Sequence, residues 1–314
     1  MVSVAHHEVT TPDGWTLRLE RALRPGGRPA EGPPVLFVPG YGMNGNAFGH
    51  HPTGPSYREV LLEAGLDPWS ADLRGTSTAR GRGRVRLRDQ AFVDLPALLG
   101  RIAEVSGSPR VHAIGCSLGG SLLYALAARR EPRLDRLVAV GAPLRWSRTA
   151  QTRVLARALP TIGAVPMRGT RRFARHALPV VARAAPWALR VYLNPRITGL
   201  GDPVRLTRTV EDPVPSLNRA IGAWMRAGDL QLDGVVVREA LAGWEGRLLV
   251  VHGSGDGIVP ASAALSAVGT TAGPVEVVRV THPDGQPVGH ADLFVSDVAP
   301  EGVFAVTARF LTAA

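Results

Sequence analysis

The chain has 314 residues, 45% of them hydrophobic, so it can bury one full core with room for an insertion but not two independent domains. Its formal net charge of +10 rests on 36 basic residues that are all arginine, which indicates GC-rich codons and a bacterial source rather than selection for nucleic-acid binding. The single cysteine, Cys116, excludes an intrachain disulfide and a cysteine-based zinc site.

The sequence contains no uninterrupted apolar run of the roughly 18 residues that a spanning helix needs. Residues 1–10 also lack the basic and then apolar pattern of an export signal. With only one cysteine, the composition fits a reducing compartment, and we expect a cytoplasmic protein.

The first third of the chain predicts the start of an α/β sheet. Residues 8–23 alternate around a Pro-Asp-Gly turn, which is typical of an antiparallel hairpin. The apolar run 35–38 predicts a buried strand that ends at the loop 39–42. Three further elements are predicted next: a helix over 56–65, a strand over 67–71 and a helix over 92–106.

The middle of the chain predicts a parallel sheet, since it runs strand, helix, strand. The strands are 111–114 and 134–140, and the helix between them is 120–130. The next strand of this kind, 247–252, follows only after about 105 residues, although a crossover needs about a dozen. A last strand over 275–280 and a helix over 300–311 complete the pattern.

The long gap predicts an insertion over residues 144–230, placed in a core made of residues 1–143 and 231–314. Its helical patterns are broken by prolines, so we expect several short helices forming a cap over the carboxyl edge of the sheet. The prolines are Pro160, Pro166, Pro179, Pro186, Pro195, Pro203, Pro213 and Pro215.

Basic charge is concentrated in this insertion, because residues 144–228 contain fifteen Arg but only Asp202, Glu211 and Asp212 as acids. One interpretation is a lid that docks on an anionic lipid surface or attracts acidic acyl substrates. The other is a helical cap with an arginine-rich solvated face. In the first interpretation four aromatic residues line an apolar tunnel: Trp146, Trp187, Tyr192 and Trp224.

The pattern G-C-S-L-G at residues 115–119 matches a nucleophile elbow, in which flanking glycines let a strained serine rise from the sheet. The bare pattern is weak, but this match lies between an apolar strand and an Ala/Leu-rich helix, as the chemistry requires. We therefore predict Ser117 as a nucleophile. Cys116 precedes the exposed position of such a turn, so we interpret it as a buried small hydrophobic residue.

An elbow serine needs a base and a group that orients the base. Asp256 follows a buried strand, and His290 follows the last strand 34 residues later, so the order Ser, Asp, His is that of α/β hydrolases. His282 is the alternative base, although it lies in a turn-like T-H-P-D-G. Asp292 is interpreted as a brace for the loop rather than as the orienting group.

The two histidine pairs, at 6–7 and 50–51, suggest a metal site only at first sight. Adjacent histidines on an extended chain point to opposite sides, and no acidic cluster accompanies them, so we expect solvent-exposed loop residues and no metal.

The sequence resembles the α/β-hydrolase superfamily across nearly its whole length outside the insertion. The motifs that carry the resemblance are V-P-G-Y-G at 38–42, A-D-L-R-G at 71–75, G-C-S-L-G-G at 115–120, H-G-S-G-D-G-I-V-P at 252–260 and V-G-H-A-D-L-F at 288–294. The resemblance implies a mostly parallel, twisted sheet flanked by helices, with an α-helical cap. It also implies Ser117 as nucleophile, His290 as general base and Asp256 as its orienting partner, with an oxyanion hole from the amides of Tyr41 and Leu118.

By this resemblance the chain is expected to be a carboxylic-ester hydrolase, an esterase or lipase, that acts on a small-molecule or lipid acyl ester without a cofactor. Thioesterase and acyltransferase activity on the same triad remain alternatives, as does a non-catalytic binding protein of this fold. Epoxide chemistry is disfavoured because those relatives carry a carboxylate at the elbow. A nucleic-acid partner is not expected, since no binding module is recognisable. Oligomeric state is left open.

Two positions depart from the pattern of the superfamily. Many members have His where this chain has Pro39, which cannot donate a side-chain hydrogen bond to the oxyanion loop. The familiar D-L-R-G-H-G-x-S becomes D-L-R-G-T-S-T at 72–78, followed by the Arg-rich stretch 80–88. Support for the oxyanion loop is therefore expected from elsewhere in the chain.

Overall fold

An eight-stranded sheet lies at the centre of the computed structural model, which describes residues 2–147, 152–154, 156–158 and 168–313. Its spatial order is β1-β2-β4-β3-β5-β6-β9-β10; β2 pairs antiparallel with β1 and β4, and the other neighbours are parallel. The strands are β1 (Ser3–Thr10), β2 (Thr16–Leu23), β3 (Pro34–Val38), β4 (Asp67–Asp72), β5 (Val111–Cys116), β6 (Leu134–Val140), β9 (Leu248–Gly253) and β10 (Val275–Val280), and a separate hairpin joins β7 (Gln231–Leu232) to β8 (Val235–Val236).

Helices cover both faces of the sheet and fill the inserted segment. The longer ones are α1 (Tyr57–Glu63), α2 (Leu95–Ser106), α3 (Leu118–Ala128), α4 (Thr170–Ala184), α5 (Pro215–Ala227) and α6 (Val306–Thr312). Short helical turns occupy Gly45–Phe48, Leu87–Asp89, Gln90–Asp94, Pro186–Leu189, Pro203–Leu206, Thr207–Thr209, Val237–Leu241, Ala261–Ala264, Leu265–Ala267, Asp292–Val295 and Pro300–Ala305.

The central strands are buried on both faces, which explains their continuous apolar sequences. In β3, Leu36 and Val38 join the core shared with α2 and α3. The alternate residues, Val35 and Phe37, join a second core shared with α1 and α6. Because side chains alternate along a strand, the sheet separates these two cores and is closed to water on either side.

The predicted fold class is confirmed. The structure contains the expected amino-terminal hairpin, and β6 and β10 have the predicted bounds. The other strands differ by one or two residues from prediction, while α3 begins at Leu118 instead of Gly120 because the chain turns directly from β5 into the helix. None of the helices in the described residues is long and apolar enough to cross a membrane.

The segment between β6 and β7, called the inserted segment below, contains α4, α5 and three short helical turns, and its described residues 152–154 and 156–158 are also helical. Pro186, Pro203 and Pro215 start helices, as a residue without an amide hydrogen does readily. The expectation that each proline would separate helices is wrong at Pro179, which lies inside α4. Pro160 and Pro166 lie outside the described residues.

Candidate active site

Ser117 lies at the sharp turn between β5 and α3. Its φ of 52° and ψ of −118° are strained for a residue with a side chain. The turn is fixed by the Ser117 amide, which donates to the carbonyl of Val140 at 2.9 Å, and by the Gly120 amide, which donates to the Ser117 carbonyl at 3.1 Å. The serine therefore stands at the amino end of α3, where the amides of the first turn have no partner inside the helix.

The glycines of the elbow are required by close packing. A Cβ on Gly119 would lie 2.3 Å from the carbonyl oxygen of Val38, and one on Gly115 would lie 2.4 Å from the Cα of Gly120. The G-x-S-x-G-G spacing therefore reflects close contact of the β5–α3 turn with β3 and with itself.

His290 and Asp256 form a buried pair at the ends of the last two parallel strands. The Nδ1 of His290 lies 2.6 Å from Oδ2 of Asp256, and the two side chains are only 6% and 1% exposed. The other carboxylate oxygen, Oδ1, accepts hydrogen bonds from the amides of Ile258 and Val259, both at 2.8 Å. The carboxylate is therefore held by two backbone donors and turned toward the imidazole.

The loop that carries His290 is braced by Asp292, in agreement with the interpretation of that residue from the sequence. Its buried carboxylate accepts from the amides of Gly289 at 2.6 Å and Asn194 at 2.9 Å, and from the hydroxyl of Thr198 at 2.7 Å. Burial raises the pKa of Asp292, and this effect outweighs the hydrogen bonds, which lower the pKa. His282 lies elsewhere, with its Nε2 3.4 Å from Asp297.

Ser117 and His290 flank the same two residues at the end of β6. Val140 accepts the amide of Ser117, and Gly141 lies so close to His290 that a Cβ there would be 3.1 Å from the ring carbon Cε1. Gly141 has a φ of 56° and its amide bonds to Val251 at 2.8 Å. The structure thus gathers the three residues of the predicted triad at the carboxyl edge of neighbouring strands β5, β6 and β9.

The loop after β3 packs directly against the elbow. A Cβ on Gly40 would lie 3.2 Å from the Cβ of Ser117. Tyr41 follows in this loop, and Leu118 is the first residue of α3; in the part of the chain that the structure describes, no acceptor is found for the amide of either. These two amides are thus available as donors beside the serine.

The loop after β3 is held by Glu211, from the inserted segment. Pro39 stands where many members of the superfamily have a histidine. The amide of Glu211 donates to the carbonyl of Gly42 at 2.8 Å, and its carboxylate accepts from the side chain of Asn44. The same carboxylate, 5% exposed, accepts from the amide of Ser77 at 2.8 Å and pairs with Arg171 of α4 at 2.8 Å. Glu211 therefore ties together the loop after β3, the altered 72–78 stretch and the start of α4.

A second contact from the insertion holds Tyr41. The hydroxyl of Tyr41 accepts a hydrogen bond from the amide of Val214 at 3.1 Å, and burial raises its pKa. Neither contact is predicted by the sequence pattern. One signal was present, since Glu211 is one of only three acids in an arginine-rich segment.

An apolar cavity of about 310 Å³ lies beside the site, between α4 and the core. Its lining includes Met43, whose sulfur lies against Gly40, and Ala291, which precedes Asp292 and follows His290 in the chain. Tyr192 also lines it, and the ring of Tyr192 lies 6.2 Å from that of His290. The cavity volume is at the small end of the ~300–1,000 Å³ usual for ligand pockets.

The predicted aromatic tunnel is wrong for three of its four residues. Trp146 and Trp224 are buried in the core, with ring centroids 5.7 Å apart in an edge-to-face contact. Trp187 is 71% exposed on the surface, so only Tyr192 lines the cavity.

The expectation that the two histidine pairs, 6–7 and 50–51, are exposed in loops is also only partly right. His6 and His7 belong to β1, and His51 is buried with its Nε2 2.8 Å from the carbonyl of Ser296. Within the described ranges no group of three or more His, Cys, Asp or Glu is arranged to hold a metal. Cys116 is buried as expected, and burial raises the pKa of its thiol.

A mostly parallel sheet, a strained serine between strand and helix, and a His–Asp pair at the same sheet edge define a hydrolase of the α/β class. The family model for the α/β hydrolase fold matches residues 33–280. The chain therefore belongs to the α/β hydrolase family.

Known proteins similar to this chain have several activities. Triacylglycerol lipase 1 of Arabidopsis thaliana is 28% identical over 152 residues, which is 45% of this chain and 38% of that lipase. The match thus spans less than half of that relative. A thermophilic esterase from Thermogutta terrifontis superposes with a TM-score of 0.60 at 17% identity, and epoxide hydrolase A from Mycobacterium thermoresistibile with 0.62 at 18%. Each covers at least 98% of both chains, and at these identities the likeness shows the fold alone.

Proposed function

We propose that this protein is a serine hydrolase that cleaves carboxylic esters with an apolar acyl group. The observation that carries the proposal is the 2.6 Å contact between His290 Nδ1 and the buried Asp256, at the sheet edge where the strained Ser117 stands. A histidine held in this way presents its Nε2 as a base, which a serine hydroxyl needs in order to act as a nucleophile at neutral pH.

In the proposed mechanism the Ser117 hydroxyl attacks the ester carbonyl while His290 accepts its proton. The negative charge that develops on the carbonyl oxygen is stabilised by the amides of Tyr41 and Leu118, and such donors contribute roughly 3 to 4 kcal/mol each. His290 then protonates the leaving alcohol, and an acyl-enzyme remains on Ser117. A water molecule deprotonated by His290 releases the acid and restores the serine.

The reacting group at the elbow favours ester over epoxide cleavage. The epoxide hydrolases of this superfamily carry a carboxylate at the position of Ser117, whereas a serine forms an acyl-enzyme. The cavity supports the acyl specificity, because its lining is mostly apolar and includes Met43, whose sulfur lies against Gly40, and Ala291, the chain neighbour of His290. Its modest volume favours short and medium acyl chains over long ones.

Initial rates on p-nitrophenyl esters of two to sixteen carbons test this proposal. We expect kcat/KM to rise from acetate to medium chains and to fall at the longest, and to vanish in Ser117→Ala. A matched series of thioesters, and esters supplied with an alcohol acceptor, identify a thioesterase or an acyltransferase. Folded wild-type protein with no activity on any acyl substrate would contradict the proposal and favour a binding role.

A further inference from the structure

Exposed apolar side chains are concentrated in the inserted segment. Among the described residues ten large apolar side chains are exposed, and seven of them lie between 154 and 204. Phe173 and Trp187 are each 71% exposed and Val180 is 64% exposed. Such a cluster of aromatic and aliphatic surface commonly marks an interaction site.

Helix α4 has two apolar sides, only one of which the fold uses. Its inner side lines the cavity through Ala174, Ala177, Leu178 and Val181. Phe173 and Val180 are seven residues apart, close to two helical turns, so they share a second side that faces solvent. Trp187 lies in the short helix that follows α4 directly, and it is exposed as well. Packing against the core does not account for these exposed side chains.

These exposed apolar side chains are flanked by arginines that have no acidic partner in the described residues. These exposed arginines are Arg172, Arg175, Arg183 and Arg190. The three acids of the segment are engaged elsewhere. Asp202 pairs with Arg205 and Glu211 with Arg171, while Asp212 accepts from the amide of Thr170 at 2.7 Å.

We propose that this surface, formed by Phe173, Val180, Trp187 and the four arginines and here called the α4 surface, docks the protein on an anionic lipid bilayer. Aromatic and aliphatic side chains enter the boundary between headgroups and acyl chains, and guanidinium groups pair with lipid phosphates. The positive charge of the α4 surface favours an anionic membrane. A tryptophan beside arginines suits the headgroup boundary, which is polar on one side and apolar on the other. Docking does not depend on the proposed ester hydrolysis, although it would place the cavity one helix away from the lipid.

Tryptophan fluorescence reports directly on this surface. Of the six tryptophans, Trp187 alone is exposed, since Trp15, Trp69, Trp146, Trp224 and Trp244 are each at most 8% exposed. We expect vesicles of phosphatidylcholine and phosphatidylglycerol to shift the emission to shorter wavelength, and brominated acyl chains to quench it. Pure phosphatidylcholine vesicles should have little effect. Trp187→Phe should remove the shift and the quenching while the protein still sediments with anionic vesicles.

The charge requirement is tested with two variants of equal net charge. Replacing Arg172, Arg175 and Arg183 with Gln should weaken vesicle binding roughly 100-fold, taking about 1 kcal/mol for each arginine near the surface. The control replaces the exposed Arg82, Arg84 and Arg86, which are not part of the α4 surface, with Gln, and it should bind nearly as well as wild type. The double change Phe173→Ser and Val180→Ser should also weaken binding.

Three results would overturn the proposal. One is no binding to anionic vesicles by wild-type protein whose circular dichroism shows it folded. The second is equal weakening by the two arginine variants, because net charge alone would then explain binding. The third is a concentration-dependent increase in mass by light scattering that Phe173→Ser with Val180→Ser abolishes, since the α4 surface would then join copies of this chain.

Discussion

Replacing Asp256 with Asn should nearly abolish catalysis without disturbing the shape of the site. The reason lies in the two amides that face Oδ1 of Asp256, from Ile258 and Val259, both 2.8 Å away. An asparagine must present its oxygen to these two donors, because its NH₂ group there would meet N–H groups. The NH₂ group must then point at His290 Nδ1.

This orientation forces the wrong tautomer of His290. With an N–H group facing Nδ1, that nitrogen becomes the acceptor and Nε2 carries the hydrogen, so Nε2 cannot remove a proton from Ser117. A tautomer error of this kind costs about 10⁴-fold in kcat, equivalent to about 5.4 kcal/mol at 1.36 kcal/mol for each factor of ten.

The chain offers a matched control in Asp292, a second buried carboxylate two residues from His290 that accepts backbone and hydroxyl hydrogens. Asp292→Asn should lower the free energy of unfolding by about 1 to 3 kcal/mol and leave kcat of the folded enzyme within about tenfold. Both variants are compared by active-site-corrected kcat and by urea unfolding. Similar kcat losses in the two variants, or more than a tenth of wild-type kcat in Asp256→Asn, would refute the reasoning.

Two further predictions follow from the buried polar groups. Glu211→Ala should lower the free energy of unfolding by about 2 kcal/mol, of which the ion pair with the 45%-exposed Arg171 contributes little. The same change should reduce kcat more than it changes KM, since the proposed oxyanion loop loses its anchor. Full rescue by Glu211→Gln is not expected, and unchanged kcat in Glu211→Ala would contradict the anchoring role. Burial lowers the pKa of His112 to about 4 from an ordinary 6.5, so the unfolded chain binds more protons between these values and stability is lost as pH falls through them. His112→Gln should therefore flatten the decline in urea-unfolding free energy from pH 7 to 4.5, relative to the exposed His176→Gln, and an unchanged slope would count against it.

The fold was largely predictable because its signals are local. A parallel strand buried on both faces requires a continuous apolar run, and such a run is present in β3, at the start of β9 and in the second halves of β5 and β6. The elbow was recognisable because Gly115 and Gly119 are imposed by backbone contacts that exclude a Cβ.

The supports of the oxyanion loop were not predictable, because they join residues far apart in sequence. Asn44 and Glu211 are 167 residues apart, and no pattern in either neighbourhood specifies the other. The same holds for the aromatic residues of the insertion. Trp146 and Trp224 pack against each other in the core because the end of α5 returns beside the segment that follows β6, where the amide of Trp146 donates to the carbonyl of Gly228 at 2.9 Å; Trp187 is exposed to solvent.

In the proposed mechanism Ser117 is a nucleophile activated by His290. Incubation with a fluorophosphonate probe, followed by digestion and mass spectrometry of the peptide that contains residue 117, tests it directly. We expect one adduct per chain on Ser117 in wild type, no labelling in Ser117→Ala and strongly slowed labelling in His290→Ala. A folded wild-type protein that remains unlabelled, or an adduct on a different residue, would contradict the account.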